Sequence, residues 1–188
     1  MTTHLFPNDP LALLFNPTAP LPTIVQGITG RMGRKHAALM RAYGTDIVGG
    51  TAPAGSKSAD LKEVDGAPVF RSCAEAVKAT GAVASVAMVP PFEVLAAISE
   101  AVAGGIKLIV TVTEGMPVAD AIRARSLVQA AGARGTMVNF TFHGVGGDYL
   151  SVSASAHQEL VDYLAAHRKE YWTDSFINIM KHVKAHKR

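Results

Sequence analysis

The densest chemical signal in the chain is Gln26-Gly27-Ile28-Thr29-Gly30-Arg31-Met32-Gly33, where glycines recur as G-x-x-G-x-x-G. A short apolar run, Thr23 to Gln26, leads straight into it and a helix-forming stretch, Arg34 to Tyr43, follows. Glycines between a first strand and a first helix let backbone N–H groups approach a diphosphate, and the helix N-terminus adds positive potential. Thr29 supplies a hydroxyl, and Arg31, Arg34 and Lys35 add positive charge. The other reading is a tight strand-to-helix turn that holds no ligand. Its place after the first strand favours phosphate binding, without saying which nucleotide.

The second strand narrows the choice. Dinucleotide sites that take NAD usually end this strand with a carboxylate for the adenosine ribose. Here it ends Gly49-Gly50-Thr51-Ala52-Pro53, with no carboxylate before Asp60. That counts against NAD, while an NADP site remains open through Lys57.

The elements that must position the turn read as alternating strand and helix. Strands are expected at Thr23 to Gln26, Asp46 to Gly49, Ala84 to Val89 and Leu108 to Val112. These are short, continuous, valine- and isoleucine-rich runs, as expected where both faces of a parallel sheet are covered. Helices are expected at Arg34 to Tyr43, Cys73 to Thr80, Glu93 to Ala103 and Ala119 to Ala131. Ser72 and Glu75 fit a capping box, and Gly104-Gly105 and Gly132 supply helix stops. The fold class is therefore α/β, a Rossmann-like doubly wound parallel sheet with a short helical C-terminal appendage.

Composition bounds the rest. The chain has 188 residues, 48% hydrophobic and 18% charged, enough for a packed core. Its single cysteine, Cys73, excludes a disulfide framework and a multi-cysteine zinc site. The net charge of +3 is scattered rather than striped, which argues against nucleic acid. No apolar run approaches the roughly 18 residues of a membrane span, and the start lacks a basic signal-peptide n-region. A cytoplasmic location is expected. Prolines at 7, 10, 17, 20 and 22 make residues 1–22 an irregular segment. Residues 23–135 form the α/β domain, and residues 136–188, a strand plus two helices, hold seven of the 12 aromatics and five of the seven histidines.

Five motifs, IVQGITGRMG, AYGTDIVGGTAP, APVF, ASVAMVPPF and GIKLIVTVTEGMP, occur in one order between about Thr23 and Arg134. Together they resemble the CoA-binding domain of the succinyl-CoA synthetase α subunit. The resemblance implies that Thr29, Gly30, Arg31 and Met32 line the CoA phosphates, and that Val112, Thr113 and Glu114 form a second contacting segment. Coenzyme A or an acyl-CoA is then the ligand, and a β-type ligase subunit the implied partner. The family's loop lysine is carried to Lys57, four residues after Pro53 where the family has two. The VPPF motif is one residue shorter than the family's usual form, so Pro90, Pro91 and Phe92 are expected to pack differently.

The resemblance stops after Arg134. The family continues into a second domain with the histidine phosphorylated during turnover, and no segment here matches that loop. From about Met137 onward, the apolar strand before His143, HGVGGDYLSVS and YWTDSFINIMKHVK resemble the C-terminal end of a polysaccharide deacetylase-type domain. His143 is the counterpart of that family's late histidine, but a hydrolytic metal site needs about three protein ligands. The earlier ligand motifs are missing, so His143 reads as a strand-end residue, and no catalytic or metal-binding residue is assigned. Asp148 and His157 read as turn and helix-surface residues, and His182 and His186 as a solvated helix end. Trp172, Phe176 and Ile179 recur at helical spacing and are expected on a buried face. Met137 to Phe142 is expected to be a strand completing the sheet, with the two tail helices over its edge.

The expected function is a CoA-binding module of the succinate–CoA ligase α type, not ligating alone. Glu114 reads as a cofactor-loop residue, since no paired group for proton transfer is visible. One alternative is an NAD(P)-dependent reductase, because GRMGR is similar to the turn of dihydrodipicolinate reductase, although the DAPSGT-like motif of that family is missing. The other is a non-catalytic hybrid gene product joined near residue 135.

Overall fold

A computed structural model describes residues 20–52, 60–131, 145–147, 153–169 and 172–185. They fall into two compact units, divided after Thr136 and treated separately below.

The first unit is built on six strands: β1 (Thr23–Gln26), β2 (Ile47–Thr51), β3 (Glu63–Val64), β4 (Ala67–Phe70), β5 (Ala84–Ala87) and β6 (Leu108–Thr111). Their order across the sheet is β3-β4-β2-β1-β5-β6. Every pairing is parallel except β3 with β4. The four strands expected between Thr23 and Val112 are present, with ends differing by up to two residues, and so is the α/β class. The hairpin β3–β4 is an addition. It turns on Asp65 (φ 48) and Gly66 (φ 78), the pair of positive φ values that an Asp-Gly type I′ turn requires.

The helices are α1 (Arg31–Tyr43), α2 (Cys73–Thr80), α3 (Val94–Ala103) and α4 (Val118–Ala131). Successive β1 residues point to opposite faces. Ile24 joins Cys73, Ala76, Ala82, Ala101 and Ile106, while Val25 joins Ile28, Ala37, Ile47, Val64 and Ala67. Helices therefore cover both faces, which explains why β1 and β5 are wholly buried and mostly apolar rather than alternating. Helix α3 buries Val94, Ala97, Ile98 and Ala101, an i, i+3, i+4, i+7 stripe.

Helix ends follow local chemistry. Ser72 Oγ accepts from the Glu75 N–H at 3.2 Å, as the capping box predicts. Glu75 Oε2 reaches back past the cap to the Arg71 N–H, 3.1 Å away. Helix α3 ends at Gly104-Gly105, where the Ile106 N–H donates to Ala101 O at 3.0 Å. Helix α1 starts at Arg31 rather than Arg34, because Gly30 is its N-cap. Gly132, the other expected stop, lies outside the described residues.

Cys73 opens α2 and is fully buried. Its backbone N–H donates to Glu100 Oε1 of α3 at 3.0 Å. Burial, aided by the Glu100 carboxylate, pushes the thiol up to about 12 from an ordinary 9.0. The folded chain thus holds the proton over a pH range in which the unfolded chain releases it. The contribution to stability is full below about pH 9 and is lost as pH rises through about 12. We expect the difference in unfolding free energy between the parent and Cys73→Ala to shrink between those limits, by at most about 1.4 kcal/mol per pH unit. Urea melts at pH 8, 9.5 and 10.5 check it, and a constant difference would refute it. The native thiol should also resist labelling at pH 8.

The second unit contains α5 (Ala154–Ala166) and α6 (Phe176–Ala185). The Tyr163 ring stacks on His167 at 4.1 Å, one turn along α5. Asp174 leads into α6, accepting from the Ser175 N–H at 2.6 Å and Asn178 Nδ2 at 2.8 Å. Those bonds, Asn178's first, hold its carboxyl below the usual range. The expected buried aromatic face needs correction. Trp172 is 53% exposed, its ring meeting His182 edge-on at 4.8 Å. Ile179 is half-buried, and the Phe176 side chain lies outside the described residues, as do Met137 to Phe142, His143, Asp148 and His186.

Candidate functional site

The chain passes from β1 outward to β2 and β4, then returns to place β5 on the other side of β1. The strand order reverses between β1 and β5. Ligands of open α/β sheets bind beyond the carboxyl ends of the strands at such a point, and the glycine turn is located there.

Gly27 leaves β1 with φ +78, and its N–H donates to Thr51 O at the end of β2, 2.9 Å away. A Cβ at Gly27 would lie 2.7 Å from Met88 O, so the turn rests directly on the exit of β5. Gly30 caps α1 in extended conformation (φ −75, ψ 158) with no side-chain hydrogen bond to the first turn. The first-turn N–H groups of a helix have no intrahelical acceptor. No acidic residue occupies the first turn, so the positive end of α1 stays uncompensated, a preference for anions of about 0.3–1 kcal/mol.

The four residues expected on the phosphates lie together here. Thr29 is half-buried, Gly30 and Arg31 are exposed, and Met32 is 49% exposed. Arg34 Nε donates to Thr29 O at 3.3 Å.

The second expected segment follows β6. Val112 is 52% exposed, Thr113 half-buried and Glu114 exposed. Thr113 Oγ1 donates to Val89 O at 2.6 Å, tying the end of β6 to the same β5 exit that supports Gly27. Met88-Val89 therefore braces both segments. Beyond it, Pro91–Glu93 form a 3-10 turn that leaves Phe92 80% exposed. Lys57 lies outside the described residues. Sequence reasoning missed the bracing role of Met88-Val89, since no local pattern marks a carbonyl that a residue 24 positions later will reach.

Such an arrangement can hold a phosphorylated ligand. Among the described residues no group of three or more His, Cys, Asp or Glu side chains is placed to hold a metal ion. No described helix is long and apolar enough to cross a membrane.

Comparison with known proteins points the same way. Residues 18–115 match the family described as CoA binding domain. The chain is 42% identical over 104 residues to the malate–CoA ligase α subunit of Methylorubrum extorquens, covering 55% of this chain and 34% of that protein. It is 46% identical over 97 residues to the ADP-forming succinate–CoA ligase α subunit of Aquifex aeolicus, covering 52% and 30% respectively. An ADP-forming sulfoacetate–CoA ligase subunit of Bilophila wadsworthia is 37% identical over 110 residues, covering 58% and 36%. The matched region is about a third of the length of these curated relatives.

Proposed function

The chain belongs to the CoA binding domain family through residues 18–115, and from that premise we propose that it binds coenzyme A or an acyl-CoA. The diphosphate lies on the glycine turn, with Thr29, Gly30, Arg31 and Met32 about it, and Val112, Thr113 and Glu114 form the second wall. Lys57 is proposed to add a phosphate contact from the loop after β2. The observation that carries this reading is the shared brace. Gly27 rests on Met88 while Thr113 bonds Val89, so segments some 80 residues apart meet at the strand-order reversal.

The three relatives named above are acid–CoA ligase subunits acting on malate, succinate and sulfoacetate, by their names. Accordingly, we place this chain at the CoA end of such a ligation, as a module that does not ligate alone. Within the described site Glu114 is the one carboxylate of the two segments. A β-type ligase subunit is the partner this reading calls for, and the cytoplasm its compartment.

The test is thermal unfolding of the full chain with CoA, NADH and NADPH in parallel. A ligand that binds only the folded state, present at about 100 times its Kd, adds about 2.7 kcal/mol and raises the midpoint by several degrees. The expected result is a shift with CoA alone. A shift with NADPH and not CoA would replace this reading by a reductase, and no shift with any of the three would favour the hybrid gene product.

A further inference from the structure

Arg34 stands one turn into α1, beside the N-cap. Its backbone N–H donates to Gly30 O at 2.9 Å, and its Nε to Thr29 O at 3.3 Å. One edge of the guanidinium is thereby fixed on the glycine turn. No carboxylate of a described residue meets the remaining edge. Arg41, further along the same helix, differs: both its Nη atoms donate to backbone carbonyls, of Asp65 and Ile47. Arg31, Arg34 and Lys35 are all exposed, and of the three only Arg34 has a side-chain bond to the turn.

We infer that Arg34 clamps the ligand's diphosphate, keeping Nε on the Thr29 carbonyl while its Nη groups donate to a phosphate oxygen. The inference rests on the CoA reading above and deepens it by naming a contact that the glycine spacing does not supply. A planar guanidinium can serve both acceptors from one pose, because its donors form a rigid fork. A lysine ammonium at the same position is a point donor on a flexible stem and cannot hold both in a fixed geometry. Already bonded to the turn through Nε, Arg34 gives up less side-chain freedom on binding than an unbonded side chain would.

The test is calorimetric titration of the full chain with CoA, alongside melts without ligand, for the parent, Arg34→Ala and Arg34→Lys. Loss of a charge-assisted hydrogen bond to phosphate is expected to weaken CoA binding by about tenfold or more in Arg34→Ala. Arg34→Lys should recover less than half of that loss on a logarithmic scale. The ligand-free midpoints of both variants should stay within about 2 °C of the parent, as for a surface substitution. Parental affinity in Arg34→Ala would overturn the inference, and so would full rescue by lysine. An affinity loss that merely tracks a fall in the ligand-free midpoint would overturn it too. If the parent itself fails to bind CoA, the CoA reading falls, and the clamp with it.

Discussion

Gly33→Ala is expected to destabilise the α/β unit by about 3 kcal/mol, the upper range for overpacking a rigid contact. In an exposed helix interior the change would help, since alanine is the better helix former by about 1 kcal/mol. At Gly33 the helix lies too close to the turn for that. An added Cβ would sit 2.8 Å from Ile28 Cα and 2.8 Å from the Gly27 carbonyl carbon, and closer still to its oxygen. All of these are backbone atoms of a turn already held on Thr51 and packed on Met88, so the turn cannot yield. The N-terminus of α1 must move away, carrying its first-turn N–H groups off the proposed phosphate position, and CoA affinity should fall with stability. Gly30→Ala is the control. Its Cβ would meet only Gly27 O, at 3.3 Å, and its φ of −75 suits any residue. Its cost should stay within about 1 kcal/mol. Urea melts of the two variants decide the point, and equal losses would show that the turn does not require the third glycine for packing.

That difference between two glycines bears on what a sequence can convey. The motif spacing marked the turn correctly, because positive φ at Gly27 and close approach at Gly33 are demands only glycine meets. The same glycines hid the true start of α1, since Gly30 and Gly33 read as helix breakers while one is its cap and the other its contact face. Strands β1 and β5 were legible because burial on both faces leaves few polar residues in them: Thr23, whose hydroxyl donates to Leu21 O, and Gln26 and Ser85, which partner one another. Strand β3 was not, being two residues long with only Val64 buried, too short for any period. Its one signal was the Asp65-Gly66 pair. Trp172 misled because its spacing from Phe176 and Ile179 is helical while α6 begins only at Phe176, leaving Trp172 before the helix.

The buried pair that interrupts those apolar strands carries the second large effect. Gln26 is 2% exposed and Ser85 fully buried. Ser85 Oγ donates to Gln26 Oε1 at 2.7 Å, and Gln26 Nε2 donates to Ala97 O of α3 at 2.9 Å. The residue just before the glycine turn is thus bonded to both β5 and α3. Gln26→Ala removes both bonds, strands the Ser85 hydroxyl in a dry interior and leaves a void, for a loss of about 3 kcal/mol. Ser85→Ala leaves Oε1 without a donor and should cost about 1–2 kcal/mol. Replacing both groups by apolar ones tests whether the cost is desolvation or packing. Gln26→Leu combined with Ser85→Ala removes every unsatisfied atom at nearly constant volume, so the double variant should be at least as stable as Gln26→Ala alone, and within about 1.5 kcal/mol of the parent. With Gln26→Leu alone completing the double-mutant cycle, strict additivity of the Gln26→Leu and Ser85→Ala losses would show instead that the pair does not act as a unit. CoA titration adds the functional half of the test. If the α3 tether sets the position of the turn, the stable double variant should still bind CoA more weakly than the parent, because the strand before Gly27 has lost its bond to Ala97 O while its fold is intact.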